Sequence, residues 1–182
     1  MSLTLLMIRG EMGNQLKRWL LAMDLDGVLW DNLDISSVPR PYFKVADGVI
    51  ENREGIRITL NNEAVNFVKW ARENGAIVAT MSWNIQENAL EALEKLDALD
   101  LFDYQGIEYN PRKYERLLNI ISILKGKGIS IEPNDVVYVD DRNIHIDEMR
   151  KYVGNILFIH IWKEVKDFDE ARNIVISRIM GD

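Results

Sequence analysis

The sequence contains no cysteine and only two histidines, His145 and His160. The absence of cysteine excludes disulfide bonds, thiolate metal ligands and cysteine nucleophiles. Two histidines are too few for the zinc sites that several imidazoles build together. Any metal site in this chain must therefore rely mainly on oxygen ligands.

Long hydrophobic runs and clusters of basic residues are also lacking. No apolar run approaches the roughly 18–20 residues that cross a bilayer. The formal net charge is −7 and the 22 Lys and Arg residues are scattered, so neither nucleic acid nor a membrane is expected as a partner. Residues 1–16 have no apparent role and lack the charge order and cleavage site of a signal peptide. We therefore expect a cytoplasmic protein.

The chain has 182 residues, 47% of them hydrophobic, which suits one domain spanning residues 1–182. Predicted strands alternate with predicted helices for most of its length. The strands are expected at residues 17–24, 76–82, 104–109, 135–141 and 155–162. This alternation predicts an α/β fold, a doubly wound three-layer sandwich with a mainly parallel five-stranded sheet.

Local signals predict one insertion and several helix starts. Residues 42–60 alternate around the sequence ENREG, which indicates a β-hairpin. Asn84 and Glu87 form a capping-box-like pair, so a helix is expected to begin beside them. Asn110 and Pro111 are good N-cap and first-turn residues for the next helix.

Polar side chains gather where the predicted strands stop. Asp24 and Asp26 end the first strand, Ser82 the second, and Asp140 with Asp141 a later one. In a parallel sheet these strand ends lie along one edge, where ligands bind. Each group alone is more simply explained by capping or turn formation, but adjacent acids after an apolar run are unfavourable unless a positive charge offsets them.

Lys113 lies in the first turn of the helix that follows the third strand. There its charge opposes the helix macrodipole, although a bound phosphate would reverse that effect. Up to four carboxylates at one sheet edge favour Mg²⁺. The combination with a hydroxyl and an ammonium group matches what phosphoryl transfer requires.

These motifs resemble, in order, those of the haloacid dehalogenase superfamily of phosphotransferases. They are DLDGVLW at 24–30, the serine of IVATMSW at 77–83, the lysine of NPRKYERL at 110–117, and VYVDD at 137–141. The chain more narrowly resembles the small magnesium-dependent phosphatases of that superfamily, which lack a large cap domain. Trp30 and the hairpin at 42–60 support this likeness, which runs from about residue 18 to 162.

The resemblance implies roles for the acids of the first motif. Asp24 would be the nucleophile that forms an aspartyl-phosphate intermediate. Asp26 would protonate the leaving group and then activate water. The substrate would be a phosphorylated small molecule, such as a sugar phosphate, or a phosphoprotein residue.

The resemblance also implies the phosphate and metal ligands. Ser82 and Lys113 would hold the phosphoryl oxygens. Asp24, the main-chain carbonyl of Asp26, and Asp140 would hold Mg²⁺, and Asp141 would act through a water or by orienting Lys113. The superfamily's strand order, 5-4-1-2-3, would place the first and fourth motifs side by side.

Two features depart from the related phosphatases. Trp83 stands directly after the second-motif serine, where those enzymes generally carry an arginine, and the DDRNIHID loop is one residue shorter. Tryptophan cannot hold phosphate as arginine can, but it could stack on a sugar or an aromatic group of the substrate. A place in the core is an equally open alternative for Trp83.

Two other functions are considered. One is a phosphorylatable receiver module, although receivers carry their acid pair first and need no second acid two residues after the phosphorylated aspartate. The other is a catalytically silent relative that binds a partner. The sequence leaves a monomer and a small homo-oligomer equally open.

Overall fold

The computed structural model describes residues 16–181 of the chain. Most of the predicted residues 1–16 extension lies outside this part. The main sheet contains five strands, β1 (Trp19–Met23), β5 (Ala76–Trp83), β6 (Tyr104–Glu108), β7 (Val136–Asp140) and β8 (Leu157–His160). Their order across the sheet is β6-β5-β1-β7-β8, and all four strand pairs are parallel. The predicted doubly wound α/β fold is confirmed, and the first and fourth core strands are neighbours as expected.

Helices cover both faces of this sheet. They are α1 (Asn62–Glu73), α2 (Gln86–Lys95), α3 (Lys113–Gly126), α4 (Ile146–Tyr152) and α5 (Phe168–Val175), the last continued by a π-helical turn at Ile176–Met180. Helices α1, α2 and α5 pack on one face, where Phe67 and Phe168 are 5.1 Å apart between ring centroids. Helices α3 and α4 pack on the other face through Leu117 and Met149. The central strand β1 is buried on both sides, which explains its uninterrupted apolar sequence.

The insertion between β1 and α1 is a separate antiparallel sheet. It contains β2 (Tyr42–Ala46), β3 (Val49–Asn52) and β4 (Arg57–Thr59), in that order. The predicted hairpin therefore has three strands rather than two. The additional turn, between β2 and β3, forms at Asp47–Gly48, where Gly48 has a φ of +66°. Asp-Gly is a strong hairpin signal, because Gly adopts positive φ without steric cost.

Some helix starts agree with the local sequence signals and others do not. Asn61 caps α1, since its side-chain oxygen accepts hydrogen bonds from the backbone N–H groups of Glu63 and Ala64. The predicted cap at Asn110 is wrong by two residues, because Asn110 accepts from the Arg112 N–H in a turn and α3 begins at Lys113. Lys113 is therefore the first residue of its helix. Within residues 16–181, no helix is long and apolar enough to span a membrane.

Candidate active site

The sheet brings the first and fourth motifs together at its carboxyl edge. The Asp24 N–H donates to the Val139 carbonyl at 3.0 Å, which extends the ladder between β1 and β7. On the other side of β1, Met23 is paired with Thr80, so Ser82 follows on β5. Parallel strands in register thus place Asp24 beside both Ser82 and Asp140, as the sequence predicted.

Lys113 supplies the positive charge that the acid cluster needs. Its ammonium group lies 2.8 Å from Asp140 Oδ2 and 3.2 Å from Asp24 Oδ1. The side chain is buried although it begins an α-helix, so it is not a solvated surface lysine. Asp24 and Asp140, rather than Asp141, orient Lys113. If Asp24 and Asp140 were both ionised, the single positive charge of Lys113 would leave a net negative charge here.

Asp140 is ionised and firmly held. Its Oδ2 also accepts a hydrogen bond from the Tyr138 hydroxyl, and its Oδ1 accepts one from the Arg142 N–H at 3.0 Å. Burial alone would raise the pKa of Asp140, but the charge of Lys113 and these hydrogen bonds outweigh it and lower the pKa. Asp140 is therefore a fixed anion against which Lys113 is positioned.

Three carboxylates form a group with the composition of a cation site. Oxygens of Asp24, Asp140 and Asp141 all lie within 4.8 Å of one another. Asp24 Oδ2 is buried and has no hydrogen-bond partner within residues 16–181. A buried carboxylate oxygen without a donor is costly unless a cation occupies the remaining position. An all-oxygen ligand set favours hard divalent cations.

Burial raises the pKa of Asp24 to about 8, and the negative charges of Asp140 and Asp26 add to this effect while Lys113 opposes it. In the metal-free protein, Asp24 therefore keeps a proton to far higher pH than it does in the unfolded chain. The stability that this proton provides is complete at low pH and is lost as the pH rises from about 4 towards 8.

We accordingly expect the metal-free Asp24→Asn variant to be more stable than the wild type at pH 7.5. The advantage should grow by up to about 1.4 kcal/mol per pH unit between pH 4 and pH 8, because asparagine has no proton to lose. Urea denaturation in chelator at pH 5 and pH 7.5 measures it. Identical pH dependence of the two proteins would contradict the expectation, and added Mg²⁺ should favour the wild type.

Asp141 lies beside the tight turn that follows β1. Its Oδ2 would be only 2.5 Å from a Cβ placed on Gly27, whose φ is +67°. Both the close approach and the positive φ require glycine at this position. Burial and the neighbouring charge of Asp140 raise the pKa of Asp141. Gly27 of the first motif thus leaves space for the Asp141 carboxylate of the fourth motif.

Asp26 is also buried, but it does not belong to the group formed by Asp24, Asp140 and Asp141. Its Oδ1 accepts from the Trp30 indole N–H at 2.8 Å and from the Ile35 N–H at 3.2 Å. Its Oδ2 accepts from the Asn84 side-chain amide at 2.8 Å. Burial raises the pKa of Asp26, although these hydrogen bonds act in the opposite direction. Asp26 is therefore an acid whose proton is retained more readily than in water.

The predicted capping role of Asn84 is wrong. Helix α2 begins at Gln86, and the side chain of its N-cap residue, Ile85, forms no capping hydrogen bond. Asn84 is fully buried, and its amide instead contacts Asp26 and Ser82, the latter with 2.7 Å between Nδ2 and Oγ. The Asn84–Glu87 spacing matches that of a capping box, and for this reason the local sequence pattern did not indicate that Asn84 belongs to the site. Its position two residues after Ser82, at the same strand end, was the available clue.

Trp83 is not a core residue, because 37% of its surface is exposed. Its ring lies 6.5 Å from that of Tyr109, which is tilted against it, and 6.3 Å from that of His145, which meets it edge-on. The core alternative is excluded, and Trp83 is available at the sheet edge for contact with a ligand. His145 is buried and precedes α4, but its side chain forms no capping hydrogen bond.

Comparisons with solved structures identify the fold. No protein-family model matches the sequence, and no curated protein matches it either. The HAD domain of the effector protein Lem4 from Legionella pneumophila is 14% identical, with 89% of this chain and 95% of that chain covered and a TM-score of 0.59. A HAD-superfamily hydrolase from Ehrlichia chaffeensis is 16% identical, with 90% and 99% covered and a TM-score of 0.58.

A third similar structure is the N-terminal part of BF1531 from Bacteroides fragilis, which contains a phosphatase domain and is complexed with Mg. It is 17% identical and has a TM-score of 0.54, with 91% of this chain covered. This chain spans only 41% of that one. Together the three structures show that the chain has the fold of the haloacid dehalogenase superfamily, as its motifs predicted.

Proposed function

We propose that this chain, which has the haloacid dehalogenase fold, is a Mg²⁺-dependent phosphomonoester hydrolase that acts through an aspartyl-phosphate intermediate. The observation that carries the proposal is the contrast between two buried acids. One oxygen of Asp24 contacts Lys113 and the other has no partner in the described part of the chain, whereas both oxygens of Asp26 accept hydrogen bonds. One acid is free to attack and the other is held as a proton carrier.

The similar structures support the reaction class. One of them contains a phosphatase domain and is complexed with Mg. That likeness concerns the fold, so the assignment of chemistry to this chain depends on its own residues. The narrower resemblance to the small cap-less magnesium-dependent phosphatases stays a prediction.

The carboxylates of Asp24, Asp140 and Asp141 would hold the metal ion, together with the main-chain carbonyl of Asp26. The unpartnered Asp24 Oδ2 and the all-oxygen composition of the group fit such an ion. When bound, Mg²⁺ would offset negative charge on the phosphoryl oxygens and on the carboxylates. Lys113 stays paired with Asp140 and adds its positive charge on the same side.

In the first half of the reaction, an Asp24 oxygen attacks phosphorus and the bond from phosphorus to the leaving-group oxygen breaks. Asp26 gives its proton to that oxygen, so the product leaves as an alcohol. Lys113 and the Ser82 hydroxyl donate hydrogen bonds to the phosphoryl oxygens. The raised pKa of Asp26 suits this step, because the carboxyl is protonated at higher pH than an ordinary aspartate.

In the second half, water attacks the phosphorus of the aspartyl phosphate and Asp26 accepts its proton. Inorganic phosphate leaves and the Asp24 carboxylate is restored. The same carboxyl thus acts first as an acid and then as a base. Neither step requires a redox partner, and water is the only second substrate.

The substrate is either a phosphoprotein residue or a small phosphate ester such as a sugar phosphate. The sheet of β2, β3 and β4 is a small flap and no large cap domain is present in residues 16–181, so a protein side chain could reach the site. Trp83 is exposed and can stack on a flat or apolar part of a small substrate.

Phosphate release from p-nitrophenyl phosphate tests the proposal. We expect turnover with Mg²⁺ and a loss of at least about a hundredfold when a chelator removes the metal, which should return when Mg²⁺ is added back. Stable labelling by acetyl phosphate without turnover would indicate a receiver module instead. A folded, Mg²⁺-binding protein with neither turnover nor labelling, on this and a panel of alkyl phosphates, would indicate a silent binding protein.

A further inference from the structure

We propose that Asn84 is a positioning residue that sets the direction of the Asp26 proton and of the Ser82 hydroxyl. This inference rests on the proposed phosphatase function and extends it to a residue outside the four motifs. Asn84 carries no charge and is completely buried. Its effect therefore comes from the directions of its hydrogen bonds.

The surrounding groups fix the orientation of the Asn84 amide. Its Nδ2 lies 2.8 Å from Asp26 Oδ2 and 2.7 Å from Ser82 Oγ, while its Oδ1 lies 2.6 Å from Ser36 Oγ. Ser36 Oγ accepts a hydrogen bond from the Ile85 N–H, so its own hydrogen is free to be donated to Asn84 Oδ1. A flipped amide would direct a carbonyl oxygen at the Asp26 carboxylate. The NH₂ group therefore faces the two site residues.

The hydrogen bonds of Asp26 determine which of its oxygens carries the proton. Oδ1 already accepts from Trp30 and from the Ile35 N–H. Among the residues that the structure describes, Oδ2 accepts from Asn84 alone, so it retains a position for a hydrogen. Because the Asn84 bond occupies one side of Oδ2, the O–H of the protonated acid must point along the remaining direction. The leaving-group oxygen has to lie there to be protonated.

The second Asn84 hydrogen determines how Ser82 can act. Ser82 is fully buried, and its Oγ accepts from Asn84 Nδ2. A hydroxyl that accepts from an amide keeps its own hydrogen for another acceptor. Ser82 is thereby set as a donor towards a phosphoryl oxygen. The NH₂ group of Asn84 thus orients both the acid, Asp26, and the phosphate ligand, Ser82.

The scaffold holds Asn84 in this position. Its backbone N–H donates to the Glu108 carbonyl at 3.0 Å, which continues the β5–β6 ladder. One turn later Asn88 is also buried, but its amide contacts the carbonyls of Ile35 and Val38 and the hydroxyl of Tyr42. Asn88 thus supports the same segment without touching Asp26 or Ser82. It provides a matched control.

The test compares Asn84→Ala and Asn88→Ala on two substrates with Mg²⁺. p-Nitrophenyl phosphate has a leaving group that departs without a proton, whereas glycerol 2-phosphate needs one. We expect Asn84→Ala to lower kcat/KM for glycerol 2-phosphate about tenfold to a hundredfold more than for p-nitrophenyl phosphate, because general acid catalysis is impaired. Asn88→Ala should change both substrates by the same factor. Asn84→Leu, which fills the space without a donor, should repeat the selective loss.

A binding measurement completes the test without turnover. We expect Asn84→Ala and Asn84→Leu to bind inorganic phosphate with Mg²⁺ about fivefold to tenfold more weakly in calorimetry, because the Ser82 donor is no longer aligned. Equal losses on both substrates with unchanged phosphate binding would overturn the role of Asn84 and leave the phosphatase assignment intact. A wild type that neither hydrolyses an ester nor binds phosphate would overturn both.

Discussion

Asp24→Asn should reduce phosphate release at saturating Mg²⁺ by about a thousandfold or more, the range found when a covalent nucleophile is removed. An amide oxygen attacks phosphorus far less readily than a carboxylate. The substitution also removes one charge from the Asp24, Asp140 and Asp141 group. The Mg²⁺ titration must therefore reach saturation for the variant before rates are compared.

A rapid acid quench with ³²P-labelled substrate distinguishes the nucleophile from a metal ligand. The wild type should retain protein-bound label that hydroxylamine releases, as expected for an acyl phosphate, and Asp24→Asn should retain none. Asp47→Asn, in the exposed turn between β2 and β3, is the control and should match the wild type. Labelling of the Asp24→Asn variant would show that another residue is the nucleophile. Since metal-free Asp24→Asn is expected to be the more stable protein, unfolding would not explain its inactivity.

Lys113→Met should cause the largest loss of stability among single substitutions at the site. Lys113 is buried and lies between the carboxylates of Asp24 and Asp140. Removing it leaves Asp140 as an uncompensated buried charge, which costs about 3–5 kcal/mol. We expect the free energy of unfolding of the metal-free variant to fall by this amount at pH 7.5, as measured by urea denaturation.

Lys125→Met is the matched control for this experiment. Lys125 lies near the end of the same helix and is exposed, so the same change should stay within about 0.5 kcal/mol of the wild type. Added Mg²⁺ should restore part of the lost stability of Lys113→Met, because a divalent cation then compensates the carboxylates. Equal stability of the two variants in chelator would show that Lys113 is not the compensating charge.

Most of the fold could be predicted from the sequence, because its local patterns are consistent with the final structure. β1 is an apolar run buried on both faces, and the alternation of strands and helices leads to a doubly wound sheet. The errors fell where two local signals competed. The Asp47–Gly48 turn split the predicted hairpin into a three-stranded sheet, and α3 began at Lys113, two residues after its predicted start at Pro111.

The site was predictable to the extent that its residues stand at strand ends. Asp24 follows β1, and Ser82 and Asp140 lie in the last residues of β5 and β7, so the sheet topology brings them together. Lys113 was found through its position in the first turn of a helix. Whether Trp83 lies in the core could not be decided, since exposure depends on which elements pack over the end of β5.

The sequence by itself determined the order of the motifs, their positions at strand ends and the oxygen-rich chemistry of the site. Only the tertiary structure decided the hydrogen-bond partners. Lys113 is paired with residues 89 positions before it and 27 after it, and Asn84 contacts Asp26 across 58 positions. Capping signals depend on neighbours within one helical turn, whereas these contacts form only after the strands align. That is why Asn84, which imitates a helix cap locally, emerged as a site residue only in the folded chain.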